Sequence, residues 1–322
     1  MDAAGAARFL WGIFEMITQK GNKIYRRQDK ELLCIEPWGK NSFRVRATQR
    51  YEFVPEDISA LLPPQECKVK VFEEDDCTVI ENGKIRCEIT PTGKLRFKNQ
   101  DGKLLLEEFE RIRADYRKEY NSALEIVPRT FEPHQNTDNF RLTVRFEPID
   151  GEKLYGMGQY QQPYLDVKGC TLELAQRNSQ ASVPFVLSNN GYGFLWNNPA
   201  IGQVSFGKNV TEWTAVSTKQ MDYWITAGDT PAEIEEAYAD ATGKVPMMPD
   251  YGTGFWQCKL RYMTQDEILE VAREYKRRKL PISVIVVDYF HWPNQGDWKF
   301  DTDFWPDPKA MVEELKEMGI EL

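Results

Sequence analysis

The sequence predicts two fold classes in succession, a β-sandwich and then the beginning of a parallel α/β unit. Three observations predict this order. Short stretches of alternating apolar and polar residues, separated by turn residues, run from about residue 30 to residue 228. Helix signals begin at Thr230, and a continuous β-branched run follows at residues 283–287. A run of that kind is typical of a strand buried on both faces, as in parallel sheets.

Composition limits the possible partners. The 322 residues, 41% of them hydrophobic, are enough for at least one sizeable core and are expected to form two domains. A net charge of −9 argues against nucleic acid, because phosphate binding needs a concentrated positive field. No run of about 18 apolar residues is present, so no membrane partner is expected. With only His134 and His291, a histidine metal site or a Ser-His-Asp triad is not expected, and we expect no cofactor.

The cysteines show no CxxC pair and no dense spacing. We therefore expect buried, unpaired thiols in a reducing compartment, and hence a cytoplasmic protein. The six are Cys34, Cys67, Cys77, Cys87, Cys170 and Cys258.

Residues 1–29 are predicted to be an N-terminal helical segment. Apolar residues recur there at helical spacing, and a secretory signal is not expected because no basic n-region and no small-residue cleavage site are present. The apolar residues are Phe9, Leu10, Ile13, Phe14 and Ile17.

Residues 30–228 are predicted to form the β-sandwich domain. Turn signals recur about every 8 to 12 residues, and two hairpins are expected at Asn82-Gly83 and Asp101-Gly102, which are typical hairpin turn sequences. Residues 111–138 are charged and irregular, which predicts a surface excursion. The alternating stretches are residues 31–36, 42–48, 68–72 and 139–147.

Gly156-Met157-Gly158 could suggest a nucleotide-binding loop, but Gln161 stands where a third glycine would be needed. No buried strand precedes these residues and no helix follows them, so a turn is predicted instead.

Residues 229–250 are predicted to be a linker helix and a connection. Thr230 as N-cap, Pro231 at the first helical position and Glu233 two residues further begin the helix, which runs to about Thr242. Gly243 is the expected stop.

Residues 251–322 are predicted to alternate strand and helix. A short strand is expected at 251–257 and an amphipathic helix at 264–279. Thr264 and Glu267 can form a capping box at its start. The inward face of this helix is expected to carry Ile268, Ala272 and Tyr275.

After the buried strand at 283–287 comes Asp288, and a second helix is expected with Asp307 as N-cap and Pro308 at the first helical position. Residues 320–322 would begin a third strand. In α/β barrels the loops at the C-terminal ends of the strands form the substrate pocket, so Asp288 is a candidate site residue. The second helix is expected to turn Val312, Leu315 and Met318 inward.

Several motifs together resemble glycoside hydrolase family 31. They are Gly156-Met157-Gly158-Gln159, Val183-Pro184-Phe185, Gly191-Tyr192-Gly193, Gly254-Phe255-Trp256-Gln257-Cys258-Lys259, Val287-Asp288-Tyr289-Phe290 and Trp305-Pro306-Asp307-Pro308. The resemblance implies a β-sandwich followed by a (β/α)8 TIM barrel, and a retaining α-glycosidase that acts on α-glucosides or α-xylosides.

The reaction of such enzymes uses two aspartates about 5–5.5 Å apart, one as nucleophile and one as acid/base. The resemblance implies that both come from later barrel strands. Residues 251–322 are far fewer than the ~250 of a typical barrel. We therefore expect the N-terminal portion of the enzyme here, with both catalytic aspartates beyond Leu322, and we assign neither role to any residue. Residues 1–322 alone are expected to hydrolyse nothing.

The resemblance also implies that Asp288 binds hydroxyls of the non-reducing sugar; the alternative is that it only caps the next loop. Many α-glucosidases of the family read Asp-x-Asp here, whereas this sequence reads Asp288-Tyr289-Phe290. Phe290 removes an acceptor and fills space, as in α-xylosidases of the family. The alternative is that Phe290 packs in the barrel wall and another loop sets specificity.

Further substrate-binding candidates surround this position. Tyr289 lies beside Asp288, and Leu260 stands where the family often has a pocket aromatic. Trp298 could stack on an aglycone sugar or fill a local core. From the sandwich, Tyr160, Gln161 and Gln162 are weaker candidates.

The sequence thus favours an α-xylosidase that releases α-linked xylose from oligosaccharides and that could form a homo-oligomer. An α-glucosidase or transglucosidase of the same family is the first alternative, and family lyases share these motifs. A non-catalytic carbohydrate-binding β-sandwich is a second alternative. It is disfavoured because two strand-helix units would expose a sheet edge and an apolar face.

Overall fold

The computed structural model describes residues 16–55, 60–111 and 125–322. The chain divides into two compact units, Met1–Lys244 and Val245–Leu322. Within the described residues, no helix is long and apolar enough to cross a membrane.

The described residues of the first unit form antiparallel strands and the helix α1 (Pro231–Thr242). In chain order the strands are β1 (Met16–Lys20), β2 (Lys23–Gln28), β3 (Glu31–Pro37), β4 (Ser42–Thr48), β5 (Lys70–Glu74), β6 (Cys77–Asn82), β7 (Ile85–Ile89), β8 (Leu95–Asn99), β9 (Leu104–Glu107), β10 (Arg129–Pro133), β11 (Phe140–Phe146), β12 (Leu154–Gln159), β13 (Thr171–Leu174), β14 (Ala181–Ser188), β15 (Tyr192–Trp196), β16 (Gly202–Phe206), β17 (Thr211–Thr218) and β18 (Met221–Ala227).

These strands form three sheets. An eight-stranded sheet has the order β1-β2-β3-β4-β18-β15-β14-β12, and two five-stranded sheets have the orders β10-β11-β17-β16-β13 and β5-β6-β7-β8-β9. One hydrophobic cluster takes side chains from all three. The fully buried ring of Tyr223 in β18 lies 6.4 Å from Phe97 in β8 and 5.9 Å from Phe146 in β11, centroid to centroid. The sheets therefore share one aromatic core, as the predicted sandwich requires.

A buried ion-pair group also joins the three sheets. Arg129 in β10 donates hydrogen bonds to Glu31 in β3 and to Glu108, which follows β9. Burial raises the pKa of the Glu108 carboxyl. Burial opposes the charge of Arg129, but Glu108 and Glu31 hold the pKa of its guanidinium well above the usual value. Separating the sheets here would leave a buried charge without its partner, which is energetically costly. The ion-pair group therefore holds the three sheets in one arrangement.

The predicted helical segment over residues 1–29 is wrong where it can be checked. β1 and β2 form a hairpin with Lys20 opposite Lys23, and Gly21 turns it with a φ of 60°. Ile24 is fully buried. Pairing with neighbouring strands satisfies the backbone N–H and C=O groups here, so these residues form strands although their apolar spacing is typical of a helix. Of the apolar residues that suggested a helix, only Ile17 is described; the other four lie outside the described residues, within 1–15.

The predicted surface excursion over residues 111–138 is also partly wrong. Residues 112–124 lie outside the described part, but β10 pairs with β11 throughout its length. Arg129 and Phe131 in β10 are each only 7% exposed. The charged residues of this stretch suggested solvent exposure. Arg129 is nevertheless buried in a strand, because Glu31 and Glu108 accept its hydrogen bonds.

Gly156-Met157-Gly158 is a bulged strand, not the predicted turn. The register of β12 against β14 shifts between Gly156 and Gly158, and all three residues have positive φ, at 113°, 71° and 90°. A Cβ atom at Gly158 would lie 2.2 Å from the carbonyl oxygen of Ala181. The glycines are needed because the two backbones approach too closely for a side chain.

Other local predictions are confirmed. Asn82 lies opposite Ile85 across the β6–β7 hairpin, and β8 pairs with β9 around Asp101-Gly102. The Thr230 side chain accepts a hydrogen bond from the Glu233 N–H at the start of α1.

Helix α1 packs on the eight-stranded sheet. It shares a second hydrophobic cluster with that sheet, in which Ile234 contacts the group that includes Leu195 and Trp224. Tyr238 stacks on Phe185 in β14, with 3.9 Å between ring centroids. The helix is thus a covering layer of the first unit.

The second unit contains parallel strands β19 (Trp256–Cys258) and β20 (Val284–Val286), with helices α2 (Gln265–Arg277) and α3 (Pro308–Glu317). Glu321 forms a parallel bridge with Val284, which begins a third strand. Short 3-10 helices occupy Asp250–Thr253 and Tyr289–His291. The predicted strand at 251–257 is therefore wrong in its first half.

The helices of this unit begin where the caps predict. Thr264 accepts from the Glu267 N–H, and Asp307 accepts from the Ala310 N–H at 2.9 Å. Glu267 itself accepts from the Met263 N–H rather than closing the capping box on Thr264.

The inward faces are those predicted, with one correction. Ile268, Ala272 and Leu315 are buried, and Tyr275 packs against them. In α3 the prediction of Val312 is wrong, because Met311 is fully buried and Val312 is only half-buried. Met311 and Leu315 are four residues apart and share one helix face, whereas Val312 lies beside it.

None of the six cysteines, all within the described residues, is in a disulfide. The prediction that all are buried is wrong: Cys258 is exposed, and Cys67 and Cys170 are half-buried. Cys258 is exposed because it lies on the face of β19 that no helix of this unit covers.

Candidate functional site

The candidate site lies at the C-terminal ends of the parallel strands β19 and β20. Gln257 in β19 is in register with Ile285 in β20, and Cys258 is in register with Val286. The Tyr275 hydroxyl of α2 donates to Gln257 Oε1 at 2.5 Å, so Gln257 faces the helices. Side chains alternate along a strand. Cys258 and Val286 therefore face the opposite side.

The same alternation, carried two residues beyond each strand, predicts Leu260 and Asp288 on the side of Cys258. Leu260 is 75% exposed and Asp288 is half-buried. Trp256, two residues before Cys258, is 50% exposed on this side. The alternation thus predicts an acidic side chain and an apolar side chain on one side of the two strands, just beyond their C-terminal ends.

Asp288 has two functions available to it. It is the N-cap of the 3-10 helix, with its Oδ1 accepting from the Tyr289 N–H at 2.8 Å. Among the described residues, its other carboxylate oxygen has no hydrogen-bond partner. A carboxylate offers about four acceptor positions, so capping does not exhaust it. The cap and the ligand role are therefore compatible.

The turn after Asp288 is stabilised by contacts of His291. His291 Nδ1 lies 3.0 Å from the Asp288 carbonyl oxygen, and the His291 carbonyl accepts from the Asp301 N–H at 2.8 Å. The His291 ring packs on Phe300 with 4.9 Å between centroids. These contacts fix the backbone from which the Asp288 carboxylate projects.

Aromatic rings continue along this loop. Tyr289 and Trp292 have centroids 6.1 Å apart, and Trp292 and Trp298 are 5.5 Å apart. Trp298 is 88% exposed. It fills no core within the second unit, so the local-core alternative has no support there.

Leu260 lies on the loop between β19 and α2, which is tied down by polar contacts. Gln257 Nε2 donates to the Tyr262 hydroxyl at 3.1 Å, and Lys259 forms an ion pair with Glu267. That pairing holds the pKa of the Glu267 carboxyl below its usual value. The loop is anchored on its helix side, which leaves Leu260 projecting outward.

Gln257 was missed by sequence reasoning as a site-building residue, because a lone glutamine in a strand carries no distinctive pattern. Its amide donates to the hydroxyl of one tyrosine and accepts from the hydroxyl of another, because a glutamine side chain carries both a donor and an acceptor group. The nearest signal in the sequence is the tyrosine pair Tyr262 and Tyr275, which becomes meaningful only once the fold brings them together.

We expect Tyr262→Phe to loosen the loop. The change removes the hydroxyl that accepts from Gln257, at a cost of about 1 kcal/mol, so local opening should rise roughly fivefold. Amide hydrogen exchange at Met263 measures this. Tyr251→Phe is the matched control, because Tyr251 is 43% exposed and its change should leave exchange at Met263 unaltered. Equal exchange in both variants would contradict the prediction.

The remaining candidates are described separately. The side chain of Phe290 lies outside the described part of the structure. Tyr160 belongs to the first unit, where its hydroxyl lies 2.7 Å from the Glu173 carbonyl and 2.9 Å from Ser182 Oγ. Gln161 and Gln162 are exposed in the same unit.

Comparison with known proteins gives two family matches. Residues 32–204 match the glycosyl hydrolase 31 N-terminal galactose mutarotase-like domain. Residues 245–322 match the glycosyl hydrolases family 31 TIM-barrel domain.

Individual relatives agree with these matches. An uncharacterized family 31 glucosidase of Pseudescherichia vulneris is 54% identical over 314 residues, which are 95% of this chain and 59% of that protein. Alpha-xylosidase A of Aspergillus niger is 31% identical over 317 residues, covering 89% of this chain and 41% of that protein. A solved GH31 alpha-xylosidase from a soil metagenome, complexed with xylose, has a TM-score of 0.87 and 60% identity, covering 95% of this chain and 46% of that one. The chain thus spans less than two thirds of the length of each.

Proposed function

This chain belongs to glycoside hydrolase family 31, and from that premise we propose that the protein is a retaining α-glycosidase that releases α-linked xylose from the non-reducing end of oligosaccharides. The observation that carries the proposal is the end of β20. There, a carboxylate with a free oxygen, Asp288, is followed two residues later by Phe290 rather than by a second acid.

The proposed discrimination has a physical basis. Glucose carries a hydroxymethyl group that xylose lacks, and burying its hydroxyl beside phenylalanine without a partner costs about 1–3 kcal/mol. Asp288 binds ring hydroxyls common to both sugars, so it favours neither. Specificity for the pentose therefore comes from Phe290, and two xylosidases among the relatives support this choice.

The surrounding loops complete the proposed site. Leu260 offers an apolar wall, and the exposed Trp298 offers a flat face on which an aglycone sugar can stack. Tyr289, which is 44% exposed, lies between Asp288 and the tryptophans. The nucleophile and the acid/base are assigned to no residue of 1–322.

An α-glucosidase is the second candidate, and a specific observation favours it. The Pseudescherichia vulneris relative, 54% identical, is described as a family 31 glucosidase. The two candidates differ in whether the pocket accepts the hydroxymethyl group.

The test compares p-nitrophenyl α-D-xyloside with the α-D-glucoside, using the protein expressed from its whole reading frame. We expect kcat/KM to favour the xyloside by roughly tenfold or more, which corresponds to about 1.4 kcal/mol. A preference for the glucoside would assign the second candidate. If the protein binds xylose but turns over neither compound, a non-catalytic carbohydrate-binding role replaces both.

The absence of disulfides among the six described cysteines supports a reducing compartment, and we place the protein in the cytoplasm on that basis. Detection of the protein by antibody in separated cell fractions tests this location, and we expect it in the cytoplasmic fraction.

A further inference from the structure

A cleft of about 450 Å³ opens in the first unit, on the surface of helix α1. The outward side of α1 forms one wall, the β3–β4 turn forms another, and residues 62–65 form the third. Small-molecule sites have volumes of roughly 300–1,000 Å³, so this cleft is large enough for a ligand the size of one or two sugar rings. Its lining includes none of the residues of the proposed xylose site.

Charges of opposite sign line the facing walls. Glu233 and Glu236 project from α1, while Lys40 and Lys84 lie across from them. Lys84 is already paired, with its Nζ 2.7 Å from Glu233 Oε2. Lys40 and Glu236 form no ion pair and no side-chain hydrogen bond with any described residue. The cleft therefore keeps a free donor and a free acceptor on opposite walls.

Trp38 adds an apolar surface with a fixed orientation. Its indole N–H donates to the Leu62 carbonyl at 3.0 Å, and the Arg44 guanidinium lies 4.6 Å from the ring centroid. Because its only polar group is engaged, the ring can offer a ligand only carbon surface. Leu62 and Pro63 extend this surface along the third wall.

These features favour a polar ligand of no net charge over an anion or an apolar molecule. An anion would face the carboxylates of α1, and an apolar molecule would strip water from unpaired charges. A sugar hydroxyl can donate to a carboxylate and accept from an ammonium group, while the C–H face of the ring packs on an aromatic. We propose that the cleft on α1 binds a neutral saccharide through Glu236, Lys40 and Trp38. The inference rests on the first unit alone and is independent of the proposed hydrolase activity.

The test titrates the 322-residue chain with cellobiose and measures binding by saturation-transfer NMR. We expect saturable binding that Glu236→Gln and Lys40→Met each weaken about fivefold or more, since the first removes the charge from the acceptor and the second removes the charged donor. Glu235→Gln is the matched control, because Glu235 is exposed on the same helix but lies outside the cleft. It should bind as the parent does.

Asp288→Asn tests whether cellobiose binds instead at the proposed site after β20, in which case this variant would weaken binding while the two cleft variants would not. The proposal is overturned by a lack of saturable binding, by unchanged affinity in both cleft variants, or by loss of binding in Asp288→Asn alone. The variants alter exposed side chains, so an unchanged melting temperature verifies that they fold.

Discussion

Replacing Asp288 with asparagine is expected to lower kcat/KM for p-nitrophenyl α-D-xyloside roughly a hundredfold without unfolding the protein. A hydrogen bond to a charged group contributes about 1.5–3 kcal/mol. A carboxylate that holds two sugar hydroxyls should therefore contribute about 3 kcal/mol, and each 1.36 kcal/mol is a tenfold change in rate. The comparison uses the protein from its whole reading frame.

Asparagine is the informative substitution because it keeps one of the two functions of Asp288. Asparagine and aspartate are similar as helix N-caps, so the Tyr289 N–H keeps its partner. Asp288→Ala should lose the cap as well, which costs about 1 kcal/mol and lowers the melting temperature. Asp303→Asn is the matched control, because Asp303 is exposed on the same loop. Near-parental activity of Asp288→Asn would remove Asp288 from the sugar site.

The parts of the fold that the sequence predicts well are those fixed by local contacts. Thr230, Thr264 and Asp307 each accept a hydrogen bond from an N–H three residues later, so the helix starts can be read from short stretches of sequence. The Asn82-Gly83 hairpin is local in the same sense.

The errors fall where distant residues decide. Arg129 looks like a surface residue in sequence, but Glu31, 98 positions away, and Glu108 make its burial possible. The β1–β2 hairpin is likewise stabilised because β2 pairs with β3. The apolar spacing within residues 1–29 gives no sign of this pairing. Local spacing cannot predict a partner that only the folded chain supplies.

The candidate site divides in the same way. Asp288 is a candidate from the sequence because it follows a β-branched run, and the structure confirms that this run is a strand, β20, paired in parallel with β19. The Gln257 link between Tyr262 and Tyr275 could not be found, because it joins a strand, a loop and a helix through neutral side chains. Such a contact follows from three-dimensional packing and leaves no charge pattern in the sequence.

Replacing Phe290 with aspartate is expected to raise the ratio of glucoside to xyloside kcat/KM by roughly ten- to a hundredfold. The new carboxylate would accept a hydrogen bond from the glucose hydroxymethyl group, which otherwise loses about 1–3 kcal/mol when buried without a partner. Xylose gains nothing from that acceptor and loses the apolar contact, so its own kcat/KM should fall. Both substrates must be measured on the same preparation.

Phe290→Leu separates the effect of space from the effect of the acceptor. Leucine is smaller than phenylalanine and offers no hydrogen-bond acceptor, so it should admit glucose sterically but leave its hydroxyl unpaired. If the acceptor decides specificity, Phe290→Leu should shift the ratio much less than Phe290→Asp. If both variants shift it equally, pocket volume alone excludes glucose. If neither variant shifts it while both retain xyloside turnover, Phe290 does not face the sugar, and the preference for a pentose must come from another loop.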